Sequence, residues 1–593
     1  MIQRGVASLR KELVDTALGR AAADLVVKSG NLVNVHTGEI LEDVDVAVRA
    51  KRIALVGEAD RCLGDGTMII DAEGRYLVPG FLDAHVHIES SMITVTQFAR
   101  AVLPHGTTSV FIDPHEIANV LGLGGVKLMY KEARDLPLKV FLEIPSCVPS
   151  APGLETTGAE IDWRDVEEGL GFERAVGLAE VMNFLGVLSK DEKLFREVEV
   201  TIASRGVVEG HAPLLLGGAL NAYVAAGISS DHESSTPEEI LQKLRLGMKM
   251  EIREGSTAKD LAALVKPILK EELDMRHCLL ATDDRHPVDL IREGHMDHVL
   301  RRAVEEGVDP VRAIQMATIN TAEHFRVDGD VGSIAPGRLA DIVIVDRLED
   351  FRAQMVIADG APVASRGKLL IALREPRYPR FAKETMNLGE VKPENFEIRG
   401  PRSSRCVEVR VIGVREDRVL TEHRILTLEV ENGFLRVDPG RDVAKIAVVE
   451  RHRGTGYIGL GFVQGFGVKA GAMASSVGHD AHNITALGIC DRDMALAVNA
   501  LREVGGGQVV VKDGKVLALL KLEVAGLMSE RGVEEVAEDL VRLDEAARSL
   551  QVGLRSPFMH LSFLPLAVIP RLRITDKGLV DVEKLRLVEL IVE

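Results

Sequence analysis

Asp83-Ala-His-Val-His-Ile-Glu89 is the stretch on which the reading of this chain turns. In an extended strand alternate side chains share a face, so Asp83, His85, His87 and Glu89 fall on one side and Leu82, Ala84, Val86 and Ile88 on the other. The segment follows the apolar turn Tyr76-Leu-Val-Pro-Gly-Phe81, which predicts a buried strand whose end opens on polar chemistry. Two imidazoles aimed at one point suit a metal ion. Two surface histidines on an edge strand are the plainer alternative, but that leaves the acid and histidine clusters further along the chain unexplained.

Outward from this strand, short apolar runs recur near residues 77–86, 107–112, 139–144, 177–182, 206–210, 226–230, 246–251 and 278–282. They are separated mostly by helical patterns such as Thr94 to Leu103 and Pro237 to Leu246. Eight strands alternating with helices predict an α/β fold, a (β/α)8 barrel with its chemistry at the carboxyl ends of the strands. An open doubly wound sheet is the runner-up; no Gly-x-Gly-x-x-Gly follows an early strand, and no phosphate-cradling loop is present to support it.

Short strand patterns over residues 20–75 return at 332–375, which predicts one small discontinuous β domain with the barrel inserted into it. The expected organisation is an N-terminal helix and first β part at 1–76, the barrel at 77–331, and the second β part at 332–375. A Pro- and charge-rich linker at 376–404 and a C-terminal α+β domain at 405–593 follow.

Bulk properties narrow the function. A formal charge of −18 and 4% aromatic residues disfavour a nucleic-acid surface, and Arg451-His-Arg453 is an isolated basic patch. The substrate is therefore expected to be small. No apolar run reaches the roughly 18 residues of a membrane span, and Met1 to Arg20 is a mixed-charge helical pattern unlike a secretion signal. Five scattered cysteines, Cys62, Cys147, Cys278, Cys406 and Cys490, suit a reducing cytoplasm and read as ordinary buried thiols. A closed homo-oligomer is expected from base rates.

Polar residues fall at the predicted strand ends: His85 and His87, then Glu180, Glu209-Gly-His211, Ser229-Ser-Asp-His232-Glu233 and Thr282-Asp283-Asp284-Arg-His286. Imidazoles with hard carboxylates suit zinc, iron or manganese, and these residues predict two divalent ions. His85 and His87 hold one, His211 and His232 the other, with Glu180 between them and Asp283 completing the first; which of Asp283 and Asp284 binds metal stays open, the strand pattern favouring Asp283.

These motifs resemble the adenine deaminases of the amidohydrolase superfamily. The resemblance rests on Pro79-Gly-Phe-Leu-Asp-Ala-His-Val-His-Ile-Glu-Ser-Ser-Met92, Asp113-Pro-His-Glu-Ile-Ala-Asn119, Glu180-Val-Met-Asn-Phe, Gly210-His-Ala-Pro, Ser230-Asp-His-Glu-Ser and Thr282-Asp-Asp-Arg-His-Pro. Late in the chain Ser476-Val-Gly-His-Asp-Ala-His-Asn483 and Val524-Ala-Gly-Leu-Met528 extend it. It implies a metal-dependent barrel inserted in a small β domain, a third domain peculiar to these deaminases, and adenine converted to hypoxanthine and ammonia. The fourth strand offers Glu180 and no lysine, unlike the carbamylated lysine of hydantoinases and dihydroorotases. Glu233 is the expected proton shuttle, with orientation of a ligand histidine as its alternative role, and Asp283 or Asp284 the acceptor of a proton from water.

Asp113, His115, Glu116 and Asn119 are expected to line a purine pocket or hold an accessory ion, with a helix cap at Asp113 as the alternative. His479, Asp480 and His482 are expected to reach over the barrel mouth, with a solvated loop as the alternative; Ser90, Ser91 and Met92 to pack against the base, with termination of the strand as the alternative for Ser90; and His286 to serve as a substrate-binding or accessory residue. Another amidohydrolase, acting on a cyclic amide or a dipeptide, and an inactive metal-binding homologue are the remaining alternatives.

Overall fold

The structure, a computed structural model, describes residues 2–416 and 418–592. Helix α1 (Ile2–Ala17) leads into β1 (Leu25–Asn34), β2 (Glu39–Arg49), β3 (Arg52–Val56), β4 (Met68–Asp71) and β5 (Tyr76–Pro79). The barrel strands are β6 (Phe81–Val86), β7 (Thr107–Ile112), β8 (Lys139–Pro145), β9 (Ala175–Val181), β10 (Val207–Gly210), β11 (Ser230–Asp231), β12 (Lys249–Arg253) and β13 (Cys278–Ala281). After them β14 (Ile342–Val345), β15 (Ala353–Ala358), β16 (Ala361–Ser365) and β17 (Lys368–Leu369) return to the first sheet, in the order β17-β16-β15-β14-β5-β1-β2-β3 with β4 beside β1.

The apolar run expected at 77–86 is two strands. β5 pairs with β1 and β14 in the small sheet, and β6 opens the barrel. Gly80 makes the seam, because a Cβ there would lie 2.1 Å from the Thr108 hydroxyl. The sixth strand is reduced to Ser230–Asp231 rather than 226–230.

Parallel pairing runs from β6 to β10 and again from β11 to β13. The Ser229 amide donates to the Val208 carbonyl (2.8 Å), joining the two arcs. On the other side the Asp283 amide donates to His85 O (2.9 Å) and the His87 amide to Asp283 O (3.2 Å), closing the ring.

The helices form where the apolar residues recur every three or four positions. In α2 (Val95–Val102) Val95, Phe98, Ala99 and Val102 are buried against the sheet. The helix Pro237–Arg245 starts on a reciprocal bond pair between Thr236 and Glu239, with Pro237 at its first position, where a missing amide costs nothing. Below the barrel, buried Lys139 on β8 pairs with Asp341 and, at 2.8 Å, with Asp359, tying barrel to small β domain.

The expected linker is anchored at intervals by buried Ala382, Val391, Phe396 and Ile398, with much of the rest exposed. The C-terminal part holds a nine-stranded sheet built between Cys406 and Lys521, helices Asp491–Val504 and Val533–Ser549, and a three-stranded sheet from Leu572 to Val588. Cys62, Cys147 and Cys278 are buried, but Cys406 is exposed and Cys490 partly so, contrary to the expectation for them. No helix among the described residues is long and apolar enough to cross a membrane.

Candidate metal centre at the barrel mouth

β6 delivers its polar face in layers. Asp83, deepest, accepts from the Thr282 amide (3.0 Å) and hydroxyl (2.5 Å) and faces His295 Nε2 at 3.1 Å, so it braces the barrel beneath the site. One layer up, His85 Nε2 and His87 Nε2 lie 3.1 Å apart. Glu89 leaves the shared face: the strand ends at Val86, and Glu89 sits in a 3₁₀ turn accepting from the Ile117 amide at 3.1 Å.

The proton on His87 is fixed by its other nitrogen. Nδ1 faces the Asp113 carbonyl at 2.9 Å, which can only accept, so Nδ1 carries a proton and the ring is turned with Nε2 towards the centre. Burial lowers the pKa of His87, but the Asp283 and Glu180 carboxylates outweigh it and raise it well above its ordinary value. His85 goes the other way, pushed well down by burial and by His232 and His87 beside it. Acids and imidazoles so crowded stay charged only at a high desolvation cost unless a cation joins them.

Glu180, at the end of β9, divides its two oxygens. Oε1 lies 3.4 Å from His87 Nε2 and 3.6 Å from His115 Nδ1. Oε2 lies 2.5 Å from His211 Nδ1 and 3.0 Å from His232 Nε2. Burial raises its pKa, yet the His232 and His211 imidazoles bring it well below the usual carboxylate range. Asp283 Oδ1 completes the other side, 3.2 Å from His87 Nε2 and 3.7 Å from His85 Nε2. Its backbone is left-handed, with φ +58°, a conformation that strains a non-glycine residue and recurs at functional sites.

The two adjacent aspartates point differently: Asp283 faces His85 and His87, whereas Asp284 accepts from the Ser90 hydroxyl at 2.5 Å. Glu233 Oε1 lies 3.9 Å from both His211 Nδ1 and His232 Nε2. Its carboxylate is gripped by Arg253, which also donates to Asp283 (2.8 Å) and Asp260 (2.9 Å).

Arg253 escaped the sequence reading, as did Glu251, 3.7 Å from His232 Nδ1. Their signal lies in Lys249-Met-Glu-Ile-Arg253, where Lys249, Glu251 and Arg253 alternate with apolar Met250 and Ile252 in a largely buried strand.

A cavity of about 400 Å³ is lined among others by Ser90, Met92, His286, His479, Gln508 and Met559; Ser90, through its bond to Asp284, links it to the strand end that carries Asp283. Two predicted contacts turn away from it. The Ser91 hydroxyl donates to the Ile88 carbonyl, and the Asn119 amide group to the His115 carbonyl at 3.0 Å; both knit their own turns. Asp113 is no helix cap: the helix α3 (His115–Leu121) begins after Pro114 without a side-chain cap. Asp113 instead takes His115 Nδ1 at 2.8 Å. His479 and His482, from the C-terminal part, both contact Glu116 in the first turn of α3, with His479 Nδ1 at 2.6 Å.

Buried imidazoles and carboxylates at the strand ends of a closed parallel barrel define a metal-dependent hydrolase, and residues 76–363 match the amidohydrolase family. Residues 418–586 match the adenine deaminase C-terminal domain. The chain is 50% identical over 592 residues to an adenine deaminase of Moorella thermoacetica, covering 99% of each. It is 49% identical to one from Mesorhizobium japonicum, covering 98% of this chain and 96% of that one. One from Clostridium botulinum is 46% identical, with 98% of each chain covered. The chain belongs to the adenine deaminase family.

Proposed function

We propose that the protein hydrolyses adenine to hypoxanthine and ammonia at a pair of divalent cations held by His85, His87 and Asp283 on one side and His211 and His232 on the other, bridged by Glu180. The observation that carries this reading is the division of the Glu180 oxygens between two sets of imidazoles. The donor set fits such ions: His85 Nδ1 and His232 Nδ1 are buried without hydrogen-bond partners, so their rings are unspent on structure. Mixed nitrogen and carboxylate donors suit manganese, iron or zinc alike.

When bound, two cations lower the pKa of water between them towards neutrality and so supply the nucleophile. The rest falls to the side chains. Asp283, beside the histidines, takes the proton that water loses as its oxygen bonds to C6 of the purine. Glu233, protonated at the outset, gives its proton to the ring nitrogen next to C6, recovers one from the hydroxyl now on C6, and passes it to the amine as the C6–N bond breaks and C6=O forms; the proton held by Asp283 then restores Glu233, so that water has added and ammonia has left. Arg253 grips both carboxylates and fixes them at the positions where those transfers occur. Ser90 and His286, with His479 from the C-terminal domain, line the cavity that receives the base.

The experiment is ammonia release from adenine by the metal-replete protein, set against hydantoin and dipeptide hydrolysis, with metal content measured on the same sample. Turnover of adenine alone supports the reading; its absence in protein with ions bound on both sides of Glu180 ends it.

A further inference from the structure

A second cluster lies on the far side of the His115 ring and none of its chemistry is used above. Glu116, in the first turn of α3, is buried at the barrel mouth. His479 Nδ1 approaches its Oε1 to 2.6 Å, and His115 Nε2 lies 3.6 Å from the same oxygen. Asp480 Oδ1 is 3.9 Å from both His115 Nε2 and His479 Nδ1. His115, Glu116 and Asp480 bring one donor atom each within 4.8 Å of one another. All of these side chains are more than nine-tenths buried.

Hydrogen bonding leaves the cluster unsatisfied. Both oxygens of Glu116 and Oδ2 of Asp480 lack a partner of proper geometry despite the close nitrogens. Buried carboxylate oxygens are costly in that state. The geometry says what is missing. Asp113 Oδ2 accepts from His115 Nδ1 at 2.8 Å, which turns Nε2 towards Glu116 and Asp480, where an ion that displaces its proton would meet its lone pair. A carboxylate behind an imidazole in this way is the usual support of a metal-binding histidine. His482 has the opposite tautomer: its Nδ1 accepts from the Gly478 amide at 3.2 Å, so Nε2 carries the proton and lies against Glu116 Oε2 without hydrogen-bond geometry.

We infer that this cluster binds a further divalent transition-metal ion through His115 Nε2, Glu116, His479 Nδ1 and Asp480. Two imidazole nitrogens with two carboxylates match manganese, iron or zinc rather than calcium or magnesium. Two ligands come from the barrel and two from the C-terminal domain, so the ion clamps one onto the other. Because His479 also lines the substrate cavity, the clamp sets the position of that wall.

The inference is independent of the binuclear reading, and its test keeps the two apart. The full-length protein is loaded with Mn²⁺, freed of excess metal, and crystallised for anomalous scattering, with metal counted per chain in solution. The expected result is an anomalous peak among His115, Glu116, His479 and Asp480, and one ion fewer per chain in both His479→Ala and Asp480→Asn. Two variants guard against a folding defect in either, and circular dichroism melts identify one. Absence of that peak from Mn²⁺-loaded crystals, or an unchanged metal count in folded variants, overturns the inference. A peak here with none beside Glu180 would overturn the binuclear reading alone.

Discussion

His85, Glu180 and His232 stand at or just past the ends of parallel strands, whereas His479, Asp480 and His482 ride on a loop between the antiparallel strands Ala472–Ser475 and Ile484–Gly488. In the barrel, the ladder that forms the core also aims the side chains. In the loop no ladder does so, and one buried cation takes its place. Arg451 is fully buried and donates to the carbonyls of His482, Thr385 and Ala525, while its own amide donates to the Asn483 side chain at 3.2 Å. The His452 ring donates to Ala481 O at 2.6 Å, and Asn483 reaches Thr156 O on the barrel at 2.8 Å. One half of the site is thus a by-product of folding the core, and the other a separately fastened part.

The largest effect is expected where the barrel half is broken. Glu180→Gln removes the charge shared by both sets of imidazoles, so the two ions beside it should be lost and adenine turnover should fall below detection while the fold persists. Turnover preserved with full metal content would show that the bridge lies elsewhere. Glu233→Gln keeps shape and ligands, so metal content should hold while kcat drops about 10²–10⁴-fold, the span expected for a lost acid–base group. If metal is lost instead, Glu233 serves to orient His211 and His232.

Breaking the fastened half should be milder. Arg451→Met leaves three carbonyls without their donor, a cost of about 1–3 kcal/mol for each buried group left unsatisfied. Loss of a supporting group near a site typically costs about 10–100-fold, and here it should appear in KM more than in kcat, because the loop walls the cavity. Asn483→Ala, which cuts the tie to Thr156 but keeps the guanidinium, should move KM in the same direction by less. An unchanged KM in both would separate the loop from substrate binding.

The same contrast explains what the sequence disclosed. The eight barrel strands were legible because a parallel strand is buried on both faces and reads as an apolar run. A charged residue inside such a run, like Glu180, stands out for the same reason. Arg253 and Glu251 were equally encoded on β12 but looked like ordinary strand polarity until Glu233 and His232 were placed opposite them. The division at Gly80 was hidden because β5 and β6 are both apolar, and only tertiary pairing assigns them to different sheets. On the loop nothing periodic marks His479 or His482; their motif resemblance singled them out, while the contact with Glu116 depends on how two domains meet.

The smallest expected effect concerns that meeting surface. Glu155, in the barrel loop whose next residue donates to Asp576 at 2.9 Å, is buried and accepts from the Ala151 amide at 2.8 Å and the Ser150 hydroxyl at 3.2 Å. Burial, helped by the negative charges of Asp480 and Asp576, pushes its carboxyl up to about 8 from an ordinary 4.5. The folded chain therefore holds a proton between those values that the unfolded chain has released, so the contribution to stability is full below about 4.5 and is lost as pH rises towards about 8. The slope for one such group is at most roughly 1.4 kcal/mol per pH unit. Glu155→Gln cannot ionise and keeps an acceptor for the same two donors, so its thermal midpoint should fall less than that of the parent between pH 5 and 8. Glu197 also titrates upward, to about 8, but it is common to both proteins, and the difference between the two curves belongs to Glu155. Parallel curves would mean that the carboxyl is already ionised at neutral pH and that the joint between barrel and C-terminal domain tolerates a buried charge.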